Sequence, residues 1–260
     1  MSRVTDPRQL PALTALWAAC FGDRPEEIQA FWENLFDSIR VYAEFSGKTA
    51  LSMLCALPTE LVGEDGEAAP CAYLYAVCTA PPERGRGHAS RLLAAALAEL
   101  TRDGFSFAAL VPAEERLFGF YAAQGFQTAC FCREYTVSAQ KAALRVRPID
   151  AEGYRNLREM QLYDSFISYP APLLALEGRR LHRVETAEGI FCADCQPEND
   201  MLRIRELLPD APEVAAALAA HFGCKAAAVR TAGAEKPVGM LRALDGHPLP
   251  ENVDLPFDFG

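Results

Sequence analysis

The spacing of apolar residues predicts alternating helices and strands in the first 140 residues. Helical spacing predicts two amphipathic helices over residues 8–20 and 25–37 and a third over 88–102. The apolar residues of the third helix share one face, formed by Leu92, Leu93, Ala96, Leu97 and Leu100. Alternating or continuous apolar runs predict strands over residues 40–46, 49–57, 71–78, 105–111 and 127–137.

Beyond residue 140 the same kinds of pattern begin again. Helical spacing covers residues 151–163 and 211–222, whereas polar residues and prolines between 165 and 172 predict no regular element. Strands are predicted over residues 180–186, 189–196, 201–208, 225–231 and 238–244. The repetition indicates two structural halves, which suits a chain of 260 residues. The tail, residues 250–260, is apolar enough to predict that it docks on the protein.

The segment from residue 71 to residue 90 has the clearest chemical signal. A strand ends near Thr79, a loop containing Gly85 and Gly87 follows, and a helix rich in alanine and leucine begins near residue 88. Glycines let backbone N–H groups approach an anion, and the N-terminus of a helix attracts negative charge. The segment therefore predicts a site for a phosphate ester, with Arg84 and Arg86 adding positive charge at its mouth.

Two common nucleotide-binding motifs do not fit this loop. A Rossmann fingerprint requires a third glycine in register, and Ser90 stands at that position. A P-loop requires Gly-Lys-Ser or Gly-Lys-Thr at its end, and no lysine stands near the loop. An ordinary turn between a strand and a helix is the remaining structural alternative.

Two motifs in the order found here resemble those of the GNAT superfamily of N-acetyltransferases. The first is Arg-x-x-Gly-x-Ala, formed by Arg84, Gly87 and Ala89. The second is Phe-Tyr-x-x-x-Gly-Phe, formed by residues 120–126 with Tyr121 at its second position and preceded by a short predicted helix. The resemblance covers residues 41–137 well and the rest of the chain loosely.

The resemblance implies an α+β fold with a mixed, mostly antiparallel sheet flanked by helices, splayed at its middle strands to admit the cofactor. It implies a GNAT domain that binds acetyl-CoA over residues 1–140 and a degenerate GNAT-like half over residues 141–260. In the second half, Pro209-Asp-Ala-Pro stands where a working copy would have the glycine loop. That half is therefore predicted not to bind CoA and to serve as a scaffold.

The resemblance also assigns the site residues. Backbone groups of the strand would pair with the pantetheine arm, and the loop would hold the pyrophosphate; His88 is expected to contribute its amide rather than to act as an acid or base. The implied cofactor-binding residues are Ala76, Val77, Cys78, Thr79, Arg84, Gly85, Arg86, Gly87, His88, Ala89 and Ser90. The implied catalytic residue is Tyr121, whose phenol stays protonated at neutral pH and can donate a proton to the departing thiolate.

The sequence does not assign every residue that binds pantetheine, acts as the general base or contacts the acceptor. Relatives often have a pantetheine-binding Asn about seven residues before the tyrosine, and Glu114 stands there instead. No general base is assigned among the candidates Glu60, Glu83, Glu134 and Tyr73. Tyr73 and Tyr75 share a face of their strand and are candidates to line the acceptor cleft. Some tandem relatives place the terminal carboxylate in the active site, and the sequence does not show whether Gly260 does so.

The composition and the net charge indicate which classes of binding partner to expect. The formal net charge of −10 argues against nucleic acid and favours a cationic acceptor such as an amine. The N-terminal residues lack the apolar core of a signal peptide, and no apolar run reaches the length of a membrane span. We therefore expect a cytoplasmic enzyme without membrane or nucleic-acid partners; relatives that pair make a homodimer plausible.

The nine cysteines do not form a recognisable metal or disulfide framework. Their number is odd, their spacing is irregular, and the single C-x-x-C at Cys192 and Cys195 lies on a predicted strand, where positions three apart face opposite sides. We therefore expect reduced, mostly buried cysteines and no metal.

Two classes of function are consistent with these features. The first is an acetyl-CoA-dependent N-acetyltransferase that acetylates a primary amine of a small molecule or peptide by direct attack in a ternary complex. The second is a non-catalytic acyl-CoA-binding module that regulates a partner. The presence of Tyr121 favours the enzyme, because a binding module needs no proton donor beside the sulfur.

Overall fold

The computed structural model describes residues 2–175 and 180–255. The first part contains β1 (Ser2–Val4), α1 (Leu10–Phe21), α2 (Pro25–Leu35), β2 (Arg40–Ser46), β3 (Thr49–Val62), β4 (Ala68–Thr79), α3 (His88–Arg102), β5 (Phe107–Leu110), α4 (Arg116–Ala122) and β6 (Gln127–Ser138). The second part contains β7 (Arg145–Pro148), α5 (Ala151–Glu159), β8 (Phe166–Ser168), α6 (Ala171–Leu174), β9 (Leu181–Glu185), β10 (Ile190–Glu198), β11 (Met201–Leu208), α7 (Pro212–His221), β12 (Ala226–Ala232) and β13 (Lys236–Ala243).

The chain divides into two compact units. Unit 1 consists of residues 1–60, 69–127 and 240–249, and unit 2 of residues 61–68, 128–239 and 250–260. The assignment of cofactor binding to residues 1–140 and of a scaffold role to residues 141–260 stays a prediction.

The strands of unit 1 lie in the order β1, β2, β3, β4, β5 and the C-terminal part of β13. β2 is antiparallel to both β1 and β3. In contrast, β4 and β5 are parallel and are connected by α3. The apolar face of α3 predicted from the sequence is confirmed, because all five of its residues are buried in one cluster with Leu74, Tyr121 and Phe126.

The strands of unit 2 lie in the order β6, β12, β11, β10, β9 and β7. Its β11 and β12 are parallel and joined by α7, which is the same strand–helix–strand arrangement as β4, α3 and β5 in unit 1. Leu202, Ile204 and Leu207 of β11 pack with Val214 and Leu218 of α7 in its core.

Several details differ from the sequence-based expectations. The short strands β1 and β7 were not predicted, β3 continues to Val62, and the helix expected over 151–163 ends at Glu159. The stretch 165–172 contains β8 and the start of α6, because Phe166, Ile167 and Leu173 are buried there despite the polar and proline residues around them. Pro170 and Pro172 stand at the start of α6, where proline is tolerated.

The described part of the tail docks as predicted. Val253, Asp254 and Leu255 are buried, and the Val253 N–H donates to the Ala129 carbonyl at 2.8 Å. The expectation about Gly260 falls on residues 256–260, outside the described residues.

Candidate active site

The candidate site in unit 1 is centred on the part of β4 that continues beyond its pairing with β5. Residues 71–73 of β4 pair in parallel with residues 107–109 of β5, and the ladder ends there although both strands are described over their whole length. Residues 74–79 of β4 therefore continue beyond the end of the ladder. Strand backbone without a ladder partner on one side can pair with an extended ligand.

Strand β4 bends where it leaves β5. Ala76 has a φ of 50°, in the left-handed region that non-glycine residues rarely adopt. Such strained positions are found at ligand sites when the surrounding structure enforces them. Ala76 and Cys78 are buried, and Val77 is partly buried. The bend lies among the residues predicted to hold the pantetheine arm.

The end of β4 is fixed by side chains. The Ser52 hydroxyl donates to the Cys78 carbonyl at 2.7 Å and lies 3.0 Å from the Thr79 hydroxyl. The Arg84 Nε donates to the Thr79 carbonyl at 3.3 Å. Thr79 and Arg84 thus order the strand end and the start of the loop, in addition to any contact with a ligand.

The glycine loop leads directly into α3, as the sequence predicts. Gly85 and Gly87 both have a φ of 77°, which explains why glycine stands at these positions. The Arg91 N–H donates to the Gly87 carbonyl at 3.1 Å, so the amides of His88, Ala89 and Ser90 precede the hydrogen-bond ladder of the helix. These amides and the positive end of the helix dipole form a suitable anion site.

The His88 side chain has a structural role that the sequence did not reveal. His88 is 9% exposed, with Nδ1 2.9 Å from a Glu44 carboxylate oxygen and Nε2 3.4 Å from a Glu83 carboxylate oxygen. A bulge between Glu44 and Phe45 occurs in β2 at this point, and bulges change the direction of side chains. The imidazole therefore links the loop to β2. That His88 is not the acid or base stays a prediction.

Arg91 also supports the loop and was missed in the sequence. Its Nη1 donates to the Arg86 carbonyl at 2.8 Å, and its Nη2 lies 3.1 Å from His88 Nδ1. A Cβ added at Gly87 would lie 3.1 Å from the same Nη1. The only sequence signal was the position of Arg91 one helical turn after His88.

The contact between His88 and Glu44 predicts a pH-dependent loss of stability. The hydrogen bond with His88 lowers the pKa of Glu44. A carboxylate with a lowered folded-state pKa stabilises the protein above its unfolded pKa, and this contribution is lost as pH falls through the folded pKa. We expect His88→Ala to destabilise unit 1 by about 1–3 kcal/mol at neutral pH. The difference should shrink as the pH falls from the ordinary glutamate pKa of about 4.3 through the lowered pKa of Glu44. Urea unfolding at several pH values measures this.

His247→Ala is the matched control for this experiment. His247 is also paired with a carboxylate in unit 1, that of Asp245, but its side chain is 60% exposed. Its loss should change stability by less than about 1 kcal/mol. Equal effects of the two substitutions would contradict the structural role of His88.

Tyr121 lies in the core beside the end of β4. Its ring is 5.0 Å from that of Phe120 and 5.9 Å from that of Phe126, and the residue is 6% exposed. Burial, and to a smaller extent the charge of Cys78, raises the pKa of Tyr121 to about 12. The structure thus brings the predicted proton donor next to the predicted cofactor strand, in a protonated state at neutral pH.

The face of β4 opposite α3 is covered by aromatic residues. The Tyr75 ring lies 5.4 Å from that of Trp17 on α1 and 5.7 Å from that of Phe31 on α2. Tyr73 is buried, whereas Tyr75 remains partly exposed. The role of these tyrosines in an acceptor cleft stays a prediction.

The candidate bases and Glu114 differ in their surroundings. Glu60 is exposed, Glu83 accepts from Arg86 at 2.8 Å, and Glu134 accepts from Lys236 at 2.6 Å within unit 2. Glu114 is exposed and forms an ion pair with Arg116. None of these contacts distinguishes a general base.

In unit 2, the connection from β11 to α7 is occupied by an internal contact. Asp210 accepts hydrogen bonds from Arg133 at 2.6 Å and from the Tyr135 hydroxyl at 2.7 Å. Its carboxylate is therefore already engaged at the place where unit 1 has the glycine loop. That the second half does not bind CoA stays a prediction.

The cysteines are reduced, and eight of the nine are buried. Cys195 lies 3.6 Å from Nδ1 of His182, but burial raises the thiol pKa to about 12 and lowers that of His182, so the pair is not poised as a nucleophile and base. Among the described residues, no group of three or more His, Cys, Asp and Glu is placed to hold a metal ion. Nor is any helix in residues 2–175 and 180–255 both long and apolar enough to span a bilayer.

Comparison with known families assigns the first half of the chain. Residues 2–129 match the family described as Acetyltransferase (GNAT) domain. This segment contains β4, β5, the glycine loop and Tyr121. Residues 2–129 are therefore a GNAT acetyltransferase domain, as the two motifs indicated, and the fold of the chain is the GNAT fold followed by a second, degenerate GNAT-like half.

Solved structures share this fold over nearly the whole chain. A protein from Enterococcus faecalis described as a probable N-acyltransferase is 16% identical, with a TM-score of 0.74 over 94% of this chain and 72% of that one. A GCN5-related N-acetyltransferase from Anabaena variabilis is 17% identical, with a TM-score of 0.71 over 92% and 71%. A tandem GNAT protein from the clavulanic acid biosynthesis pathway is 12% identical, with a TM-score of 0.53 over 95% and 98%. A comparison with curated proteins gave no match.

Proposed function

We propose that this chain is an acetyl-CoA-dependent N-acetyltransferase that acetylates a primary amine by direct attack in a ternary complex. The observation that supports the proposal is the burial of Tyr121 in one cluster with Leu74 and Val77 of β4, where that strand continues beyond its pairing with β5. The proposed pyrophosphate site at the start of α3 follows the same strand along the chain.

Different residues of unit 1 would bind different parts of acetyl-CoA. The amides of residues 88–90, with Arg84 and Arg86, would hold the pyrophosphate, and the backbone of residues 76–79 would hold the pantetheine arm. Acetyl-CoA would supply a thioester whose carbonyl carbon can accept an amine. Two effects would accelerate acetyl transfer in this site. Fixed backbone groups would orient the thioester, and a positioned side chain would transfer a proton.

Tyr121 would donate its phenolic proton to the sulfur that leaves. Because its pKa is raised to about 12, the phenol keeps this proton throughout the neutral range. The net charge of −10 favours an acceptor with a cationic amine. That amine must lose a proton before it attacks, and we assign no described residue as the base that takes up this proton.

A thermal-stability comparison tests the cofactor site. Acetyl-CoA at about a hundred times its dissociation constant should stabilise the wild type by roughly 2.7 kcal/mol. Gly87→Glu should abolish this gain, because it places a carboxylate in the anion site at a φ of 77°. Gly104→Glu is the matched control, since Gly104 follows the other end of α3 with a φ of 87° and open space around it.

The outcomes separate the two classes of function. Loss of the gain in Gly87→Glu alone supports the pyrophosphate site, and release of free CoA thiol with an amine panel then supports the enzyme. Stabilisation without turnover on any amine would favour the acyl-CoA-binding regulatory module. No stabilisation of the wild type by acetyl-CoA, CoA or longer acyl-CoAs would leave the loop as a plain turn and contradict the proposal.

A further inference from the structure

Unit 2 contains a cavity of about 390 Å³ that is lined entirely by its own residues. This volume lies in the range of sites that hold small organic molecules. Half of the lining residues are apolar, and Phe131 and Tyr163 contribute aromatic rings. None of the described lining residues is Arg, Lys or His, whereas three are aspartates: Asp164, Asp210 and Asp254.

The cavity lies at the C-terminal end of β11. The pairing of β11 with β12 ends at Ile204 and Val229, and Leu208 and Ala232, which line the cavity, follow further along the two strands. In unit 1, β4 likewise continues beyond its pairing with β5. In chain order the cavity therefore stands where unit 1 has its candidate site, although no glycine loop follows β11.

One of the lining carboxylates is buried and lacks a hydrogen bond. Asp254 is 7% exposed, and its Oδ2 accepts from Arg158 at 2.9 Å. Its Oδ1 is also buried, but it accepts no hydrogen bond from any residue that the structure describes. A buried acceptor without a partner costs free energy, so an N–H donor of a ligand that bonded this oxygen would bind favourably.

The charges around the cavity favour a cation. Asp210 and Asp254 each contact one arginine, whereas Asp164 is exposed and forms no ion pair within the described chain. The arginine that contacts Asp254 also contacts Glu206, so four carboxylates share two arginines. Burial is the largest cause of the raised pKa of Asp254, and the charges of Glu206 and Asp164 raise it as well. These surroundings disfavour a phosphate group.

We propose that unit 2 binds a small organic amine in this cavity, with the protonated nitrogen at the aspartates and the apolar part against Phe131 and Tyr163. An ammonium group supplies both the positive charge and the N–H donors that this lining lacks. Aromatic rings also attract organic cations. The inference goes beyond acetyl transfer and does not rest on it.

A titration of the full chain with 2-phenylethylamine, without acyl-CoA, tests the proposal. Isotope-labelled tyrosine makes the ring of Tyr163 visible by NMR, and Tyr163→Phe identifies its signal. This signal should shift with a Kd of about 1 mM or lower. The alcohol 2-phenylethanol has nearly the same size but no charge, and its Kd should be larger by about tenfold or more.

Charge variants test which residues hold the ammonium group. Asp164→Lys should raise the Kd for 2-phenylethylamine by about tenfold or more, because it reverses a charge at the cavity. Glu188→Lys is the matched control, since it makes the same change of net charge at an exposed position of unit 2 outside the cavity. It should leave the Kd within about twofold of the wild type.

Two further variants address the buried oxygen and the space itself. Asp254→Asn should also weaken binding, with circular dichroism as the check that the protein stays folded. If it does not fold, Asp164→Lys, at an exposed position, still decides the question. Ala234→Trp places a large side chain at an exposed lining position and should abolish binding by filling the cavity.

Three results would overturn the proposal. The first is equal binding of 2-phenylethylamine and 2-phenylethanol, and the second is equal binding by the wild type and Asp164→Lys. The third is the absence of any shift of the Tyr163 signal with 2-phenylethylamine, butylamine or spermidine. Failure of the wild type to bind acetyl-CoA or to transfer acetyl groups would count against the proposed function alone.

Discussion

Tyr121→Phe is expected to lower kcat for acetyl transfer by about 10²–10⁴-fold while leaving the affinity for acetyl-CoA nearly unchanged. The substitution removes only the phenolic oxygen, and the ring contacts with Phe120 and Phe126 can persist. The loss should therefore fall on proton transfer rather than on packing or binding. Steady-state kinetics with a responsive amine, together with acetyl-CoA binding by calorimetry, measures both quantities.

Tyr135→Phe serves as the control for loss of a tyrosine hydroxyl. Tyr135 donates to Asp210 in unit 2 and has no proposed part in the chemistry. Its replacement should leave kcat within about twofold of the wild type, since the proposed proton transfer does not involve it. A Tyr121→Phe enzyme with wild-type kcat would show that the phenol is not the proton donor.

The second large effect is expected from a buried charge network in unit 2. Arg158 is 1% exposed; it donates to Glu206 at 3.0 Å, to Asp254 at 2.9 Å and to the Ile167 carbonyl at 3.1 Å. The Tyr154 hydroxyl donates to Glu206 at 2.6 Å. Burial is the largest cause of the raised pKa of Asp254, so this carboxyl group takes up a proton at a higher pH than an ordinary aspartate does.

Arg158→Met should therefore destabilise the protein by about 3–5 kcal/mol, because it leaves Glu206 buried without its cation. Urea unfolding monitored by circular dichroism measures the loss. Replacing Glu206 with Gln in the same chain should recover part of it, since the uncompensated charge is then removed.

Arg155→Met is the matched control on the same helix. Arg155 pairs with Glu159 at 3.0 Å, but its side chain is 36% exposed. Exposed pairs contribute at most about 1 kcal/mol. If Arg158→Met were no more harmful than Arg155→Met, the network would not be a main support of unit 2.

The parts of the site that depend on local backbone chemistry were predictable from the sequence. Gly85 and Gly87 have to be glycines because of their positive φ values, and the helix that follows them begins where the pattern indicates. Tyr121 was found because its motif also contains Gly125, which has a φ of 83° just after α4. Short-range constraints of this kind leave a readable trace in a single chain.

The contacts between distant positions could not be predicted in this way. His88 and Glu44 are 44 positions apart, and Arg158 and Asp254 are 96 apart. The hydrophobic periodicity of a segment does not indicate which distant residue its charged side chain will contact. A carboxylate that forms an ion pair and one that faces solvent look the same in the sequence.

The pairing of β13 with β5 has a consequence for synthesis on the ribosome. Met240 lies opposite Leu110, and 130 residues separate them in the chain. At about 5–20 residues per second, roughly 6–26 s pass between the emergence of β5 and that of its neighbour. During this interval the nascent chain already has its glycine loop and Tyr121 but exposes an apolar strand edge of the kind that recruits other chains.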